Sequence, residues 1–116
     1  GDVRQAAEAL SCGQQIAADG AFSLGMVAEF DAALAGGPWG YPRLYLEAGA
    51  AGQVLYLEAE AAGFRGTGIG CYFDDLFHGL LGLRGTAYQS VYHFTAGMPI
   101  ADPRIETFPP YSRLAR

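Results

Sequence analysis

The segment Gly66–Cys71, which reads GTGIGC, combines residue types and a spacing that could serve chemistry. Glycine has no side chain, so glycine at every second position leaves bare backbone that a flat ligand can approach, with peptide N–H groups free to donate. The same glycines could instead make only a tight connection between a helix and a strand. Spacing alone does not choose between these two interpretations.

Two common nucleotide-binding motifs do not fit this segment. A dinucleotide-binding turn requires a strand, then the glycines, then a helix whose N-terminus meets the pyrophosphate. Here Gly66–Gly70 follows a predicted helix and leads into a predicted strand. A P-loop requires a lysine, and the sequence contains none. We therefore exclude both motifs.

The other titratable side chains near this segment are expected to have structural roles. Asp74 and Asp75 precede a short apolar helix, where carboxylates cap the helix more often than they form an acid–base pair. We expect His78 on the surface of that helix and His93 inside a strand with its hydrogen bonds satisfied. Cys71 is expected to be a small packed residue rather than a reactive thiol. No catalytic side chain is predicted.

The cysteines and histidines predict neither a metal site nor a disulfide. Cys12 and Cys71 are the only cysteines, they form no CxxC motif, and the two histidines form no HxxxH motif. We expect both thiols to be reduced, and the protein to be cytoplasmic.

The composition and charge of the chain disfavour some classes of binding partner. The formal net charge of −5 disfavours binding to nucleic acid or to acidic lipid, because phosphate contacts require clustered cations. No apolar run approaches the roughly 18 residues of a membrane helix. Neither lysine nor asparagine occurs, a codon pattern that favours a GC-rich bacterial genome.

The order of the predicted helices and strands indicates one α+β (α/β) domain over residues 1–116. In this domain a small sheet packs with a long buried helix. The predicted order is a helix at 3–18 broken at Gly13, a strand at 21–30, a loop at 34–42, a helix at 41–63, a strand at 68–73, a helix at 76–81 ended by Gly82, a strand at 87–97, and an extended tail.

The predicted helix at 41–63 is apolar on nearly every side, with only Glu47, Glu58 and Glu60 charged in its interior. A helix of this kind is normally buried, so its surface requires a partner. We therefore expect that the protein is not a monomer.

Three blocks of the sequence together resemble the second half of the FMN-dependent nitroreductase superfamily, most closely the branch that includes thiazole- and oxazole-forming dehydrogenases. The first block is the EAG…GQ.LYL.A…G helix, Glu47–Gly63. The second is the GIG…DD…LLGL segment, Gly68–Leu83, and the third is Y.F..G.P..DPR, Tyr92–Arg104.

The resemblance implies a flavoprotein oxidoreductase in which FMN lies at a homodimer interface and passes electrons from NAD(P)H to a small-molecule substrate. Cofactor contacts are implied for Gly68, Ile69, Gly70 and Cys71 along the isoalloxazine, and for Arg113, or second Arg104, at the phosphate. The planar guanidinium suits phosphate because it can donate two hydrogen bonds at once.

One departure from the family leaves an alternative open. Members of the family are longer, and an arginine–serine–arginine motif in their N-terminal half has no counterpart here. The chain is therefore expected to be a C-terminal half or a dedicated short protein, completed by the missing half or by a second copy. The alternatives are a non-catalytic dimerising fragment or accessory subunit that binds no flavin alone, and a small ligand-binding module of another kind.

Overall fold

A computed structural model describes residues 2–112 of the chain. Its elements in chain order are α1 (Arg4–Leu10), α2 (Ile16–Asp19), β1 (Phe22–Glu29), α3 (Phe30–Ala35), α4 (Gly40–Ala61), β2 (Arg65–Ile69), α5 (Asp74–Leu81) and β3 (Tyr88–Gly97). This is the α+β arrangement that the sequence predicts, with helices packed on one small sheet.

The sheet has the strand order β1-β3-β2, and β3 pairs antiparallel with both neighbours. β3, which comes last in sequence among the described strands, is therefore the central one. His93 of β3 lies opposite Gly25 on one side and Ile69 on the other. A register shift between Met26 and Val27 interrupts the pairing of β1 with β3.

Helices cover both faces of the sheet, because side chains along a strand point alternately to opposite faces. Phe94 and Ala96 face α4 and form the hydrophobic core with Ala59, and Phe94 is 0% exposed. His93 and Thr95 face the opposite layer. Thr95 Oγ1 donates to the backbone oxygen of Ile16 at the start of α2.

Helix α4 is buried along one side only. Its buried residues are Gly40, Ala48, Gly52 and Ala59. Leu46, Val54 and Leu57 are 73%, 56% and 61% exposed. A three-stranded sheet is too narrow to cover a helix that is apolar all round. The predicted long buried helix is thus confirmed as a long helix, but this chain alone leaves one of its apolar sides uncovered.

Several predicted boundaries differ from the observed ones. The strand predicted at 68–73 is β2, Arg65–Ile69, because Gly66 and Gly68 pair with β3. The predicted loop at 34–42 contains the end of α3 and the first turn of α4. The predicted first helix is two short helices, α1 and α2, separated by a turn at Gly13, whose φ is +72°.

Within the part of the chain that the structure describes, no helix is both long enough and apolar enough to cross a membrane.

Candidate functional site

Two of the three alternating glycines are required by aromatic rings of the chain itself. A Cβ at Gly66 would lie 2.5 Å from Cζ of Phe94, and a Cβ at Gly68 would collide with the hydroxyl of Tyr92. The ring of Tyr92 also fits against Gly52 of α4, where a Cβ would lie 2.6 Å from Cε1. The planar groups lying on this bare backbone are therefore protein side chains.

The peptide of Gly68 is likewise already bonded. Its N–H donates to Oη of Tyr56, at 2.7 Å. Tyr56 lies on α4 and packs edge-on against Phe94, with ring centroids 4.9 Å apart. This hydrogen bond fixes the outer edge of β2 to α4, and it leaves the Gly68 N–H unable to donate to a ligand without breaking it.

Gly70, the third glycine, is different because it is open. No atom lies within 4 Å of the position that its Cβ would take. Among the hydrogen bonds of residues 2–112, none uses the N–H of Gly70 or of Cys71 as donor. The Cys71 carbonyl accepts from Nε2 of Gln14, at 3.0 Å. The loop is thus fixed through its carbonyl while two adjacent N–H groups remain available.

Cys12 and Cys71 form a disulfide, with Cα atoms 6.0 Å apart, so the prediction of two reduced thiols is wrong. The pairing joins residues 59 apart in sequence, and only the tertiary fold brings them together. Cys71 consequently has no free thiol to contact a cofactor. The expected cytoplasmic location stays a prediction, and it no longer rests on reduced cysteines, because disulfides are typical of oxidising compartments.

Next to this disulfide, Tyr72 stacks on His93, with ring centroids 3.9 Å apart and planes inclined by 10°. Phe77 of α5 meets the same imidazole edge-on, at 4.6 Å between centroids. Nε2 of His93 is 2.9 Å from Oγ of Ser90. His93 is 3% exposed, which confirms the prediction of a core histidine, but among the described residues only its Nε2 has a hydrogen-bond partner. Burial lowers the pKa of His93, and the nearby His78 lowers it further while Asp74 opposes the shift.

His78 is buried, not on the surface, so that prediction is wrong. The backbone N–H of Ser90 donates to Nε2 of His78, at 2.9 Å. This bond ties α5 to the start of β3. The side chain is long enough to reach from the helix to the strand, and no pattern in the sequence indicated which side of α5 would face the sheet.

Asp74 and Asp75 occupy the first turn of α5, but neither caps it through its side chain, since Phe73 is the N-cap residue. Their negative charges still favour the helix by interacting with the positive end of its dipole. The other end matches the prediction: Gly82 closes the helix with φ +71°. Among the described residues, no cluster of potential metal ligands occurs.

Arg104, one of the two candidate phosphate-binding arginines, is not brought beside Gly70. Arg104 donates twice to the carboxylate of Asp102, with Nη2 2.6 Å from Oδ2, and its side chain is 87% exposed. Asp102 shares a groove with Arg65 and Thr67, near the end of β2 opposite to Gly70. Arg113 lies outside the described residues. Of the five predicted cofactor contacts among the described residues, the structure brings together Gly68, Ile69, Gly70 and Cys71, which are contiguous in sequence, but not Arg104. Ile69 is 1% exposed.

The sequence analysis missed the residues that surround this loop. Tyr56 and Gln14 hold it through hydrogen bonds. Beside it, Ser90 is hydrogen-bonded to His93, and Tyr72 covers the same imidazole. The sequence carried one usable signal. The predicted last strand is rich in aromatic residues and the segment before it is rich in glycine, and an aromatic side chain is long enough to reach a residue on a neighbouring strand.

The chain is similar to solved structures, of which we describe one. This one is a crystal structure of a candidate nitroreductase from Anabaena variabilis, with a TM-score of 0.76 and 29% sequence identity. The match covers 86% of this chain but only 20% of that protein. The fold is therefore nitroreductase-like, as the sequence predicted. Comparisons with family models and with curated proteins give no match.

Proposed function

We propose that the chain is part of an FMN-dependent oxidoreductase of the nitroreductase type, in which the Gly70–Cys71 peptide borders the flavin ring. The supporting observation is the open backbone at Gly70 within a fold shared with a candidate nitroreductase. The branch of thiazole- and oxazole-forming dehydrogenases belongs to the same proposal, on the strength of the sequence blocks alone.

The residues present fit one part of an FMN site. The N–H groups of Gly70 and Cys71 have no hydrogen-bond partner among the described residues, and both residues are exposed. Hydrogen-bond donors of this kind suit the ring nitrogens of a flavin. When bound, FMN would supply the transfer of hydride from NAD(P)H to a small-molecule substrate. The chain would hold the ring edge through Gly70 and Cys71, and the Gln14 and disulfide contacts would keep that peptide in place.

The remaining contacts must come from elsewhere. The Gly68 N–H already donates to Tyr56 and Arg104 is paired with Asp102, so neither is free to complete the site. A second copy of the chain, or a further part of a longer protein, would complete the site. The exposed stripe of α4 (Leu46, Val54 and Leu57) is the surface on which we expect that partner to dock.

That same stripe favours the second candidate function, a dimerising fragment or accessory subunit that binds no flavin alone. The chain spans about a fifth of the length of the solved protein it matches, so a scaffold role is compatible with the fold. The two candidates differ in one property, which is the binding of FMN to the purified chain.

The decisive experiment is a titration of the purified chain with FMN, followed by quenching of flavin fluorescence, using a variant that blocks the open peptide. Gly70→Leu should abolish binding without unfolding the chain, since the space around Gly70 is empty. Gly79→Leu is the matched control, because the space around Gly79, on α5, is also empty.

Saturable binding by the wild type and by Gly79→Leu, but not by Gly70→Leu, supports the flavin proposal. Binding that survives in Gly70→Leu contradicts the assigned position. A wild-type chain that is dimeric and does not bind FMN supports the second candidate.

A further inference from the structure

A cavity of about 280 Å³ lies on the face of the sheet opposite α4, between α1, α2, β1 and α5. Most of its walls are apolar side chains, with Arg4 at the edge paired to Asp2. The apolar lining residues include Val3, Ala7, Leu10, Ala17, Phe77 and Leu80. Cavities of this type, apolar with few polar groups, are the usual form of a small-molecule site.

His93 supplies a polar atom to this cavity. The imidazole lines the cavity, and its Nε2 is bonded to Oγ of Ser90. No hydrogen bond from residues 2–112 reaches Nδ1. Every fully buried side-chain nitrogen or oxygen in the described residues has a partner, so Nδ1 must retain accessible surface. Since His93 is only 3% exposed and lines the cavity, we assign Nδ1 to the cavity wall.

The state of this imidazole determines what it can bind. Burial lowers the pKa of His93, so the ring is neutral at neutral pH. A neutral ring presents either a donor or an acceptor at Nδ1, according to the tautomer that the Ser90 hydroxyl selects. A hydroxyl group on a ligand satisfies either tautomer, because it can donate and accept.

We propose that this cavity binds a single-ring aromatic alcohol of the phenol class, with its hydroxyl on Nδ1 of His93 and its ring among the apolar walls. Size supports one ring, since an engineered apolar cavity of about 150 Å³ accepts benzene and this cavity is larger. The edge-on packing of Phe77 against His93 also provides an aromatic wall beside the hydrogen-bonding atom. The site does not depend on the flavin proposal, because none of its lining residues is a proposed flavin contact.

The test compares two probes of nearly equal shape, p-cresol and p-xylene, which differ by a hydroxyl in place of a methyl group. Binding to the wild-type chain is followed by calorimetry and by the NMR signals of the His93 ring nitrogens. We expect p-cresol to bind at least tenfold more tightly than p-xylene, and only p-cresol to shift the Nδ1 signal.

Two variants locate the site. Ala7→Phe fills the cavity from α1 and should abolish binding of both probes, whereas Ala9→Phe, at an exposed position of α1 that does not line the cavity, should not. His93→Phe should reduce the preference for p-cresol to about one. If that variant fails to fold, the shift of the Nδ1 signal in the wild type still shows whether the hydroxyl of p-cresol binds His93. Absence of binding by p-cresol, equal affinity for both probes, or binding unaffected by Ala7→Phe would overturn the proposal.

Discussion

Tyr72 lies flat on His93, with ring planes inclined by 10° and centroids 3.9 Å apart. Burial raises the pKa of Tyr72 and lowers the pKa of His93. Both rings are therefore neutral at neutral pH, and their stacking joins the loop after β2 to the central strand. Protonation of His93 would place a charge inside this stacked pair.

Acid should consequently destabilise the fold through His93. The unfolded ring has its ordinary pKa of 6.5 and the folded ring a lower one, so between these two values the unfolded chain binds more protons. The free energy of unfolding should fall as pH drops below 6.5 and level off once the folded ring is protonated. Urea unfolding across this range, in the wild type and in His93→Gln, measures the effect. If the free energy of unfolding of His93→Gln kept the full pH dependence of the wild type, another titratable group would be its cause.

Gly66→Ala should destabilise the fold while Gly70→Ala should not. The new methyl group at residue 66 would press on the ring of Phe94, which is fully buried and has no space to move. Overpacking of this kind costs about 1–3 kcal/mol. Gly70 has empty space around it, so its alanine variant is the matched control. Equal denaturation midpoints for the two variants would contradict the packing described here.

Removal of the disulfide should cost about 4 kcal/mol of unfolding free energy by the chain-entropy estimate for a loop of this size. The loop closed by Cys12 and Cys71 spans 59 residues. The variant Cys12→Ser/Cys71→Ser, compared with the wild type with and without reductant, measures this difference. Reductant should have no effect on the double variant, and a wild type indifferent to reductant would show that the bond contributes nothing.

Charge placed on the exposed stripe of α4 should disrupt self-association. Leu57→Glu introduces a carboxylate at a position that is 61% exposed in the single chain and that we expect to be covered in an oligomer. Sedimentation should show the wild type above its chain mass of 12.3 kDa and the variant close to it. Ile100→Glu, at a position 92% exposed in the tail, is the control and should leave the mass unchanged. A wild-type chain that sediments as a monomer would contradict the predicted interface.

Arg113→Ala should weaken FMN binding by about 1–3 kcal/mol, the range for loss of a hydrogen bond from a charged group. Arg104→Ala should have a smaller effect, because the Arg104 guanidinium is already bound by Asp102. Fluorescence titration of both variants with FMN shows which of the two arginines contacts the phosphate. A larger loss of FMN affinity in Arg104→Ala than in Arg113→Ala would assign the phosphate contact to Arg104. Unchanged affinity in both variants would show that neither arginine makes this contact.

The sequence predicted those features that local residue chemistry determines. Pro42 and Gly63 indicated the ends of α4, and Gly82 indicated the end of α5, because these residues have strong backbone preferences. Features that depend on contacts between residues distant in sequence were not predicted. Gly66 appeared to be loop because its partner, the ring of Phe94, comes from another strand. The Cys12–Cys71 pair and the inward side of His78 depend on tertiary contacts in the same way.

The position of the final strand has a consequence for synthesis of the chain. Strands β1 and β2 do not pair with each other, and β3, which ends at Gly97, separates them. A ribosome that has released only the residues before β3 has therefore produced two strands without hydrogen-bonded neighbours. The three-stranded sheet can therefore form only after β3 has been synthesised, because β3 follows both of the strands that it joins.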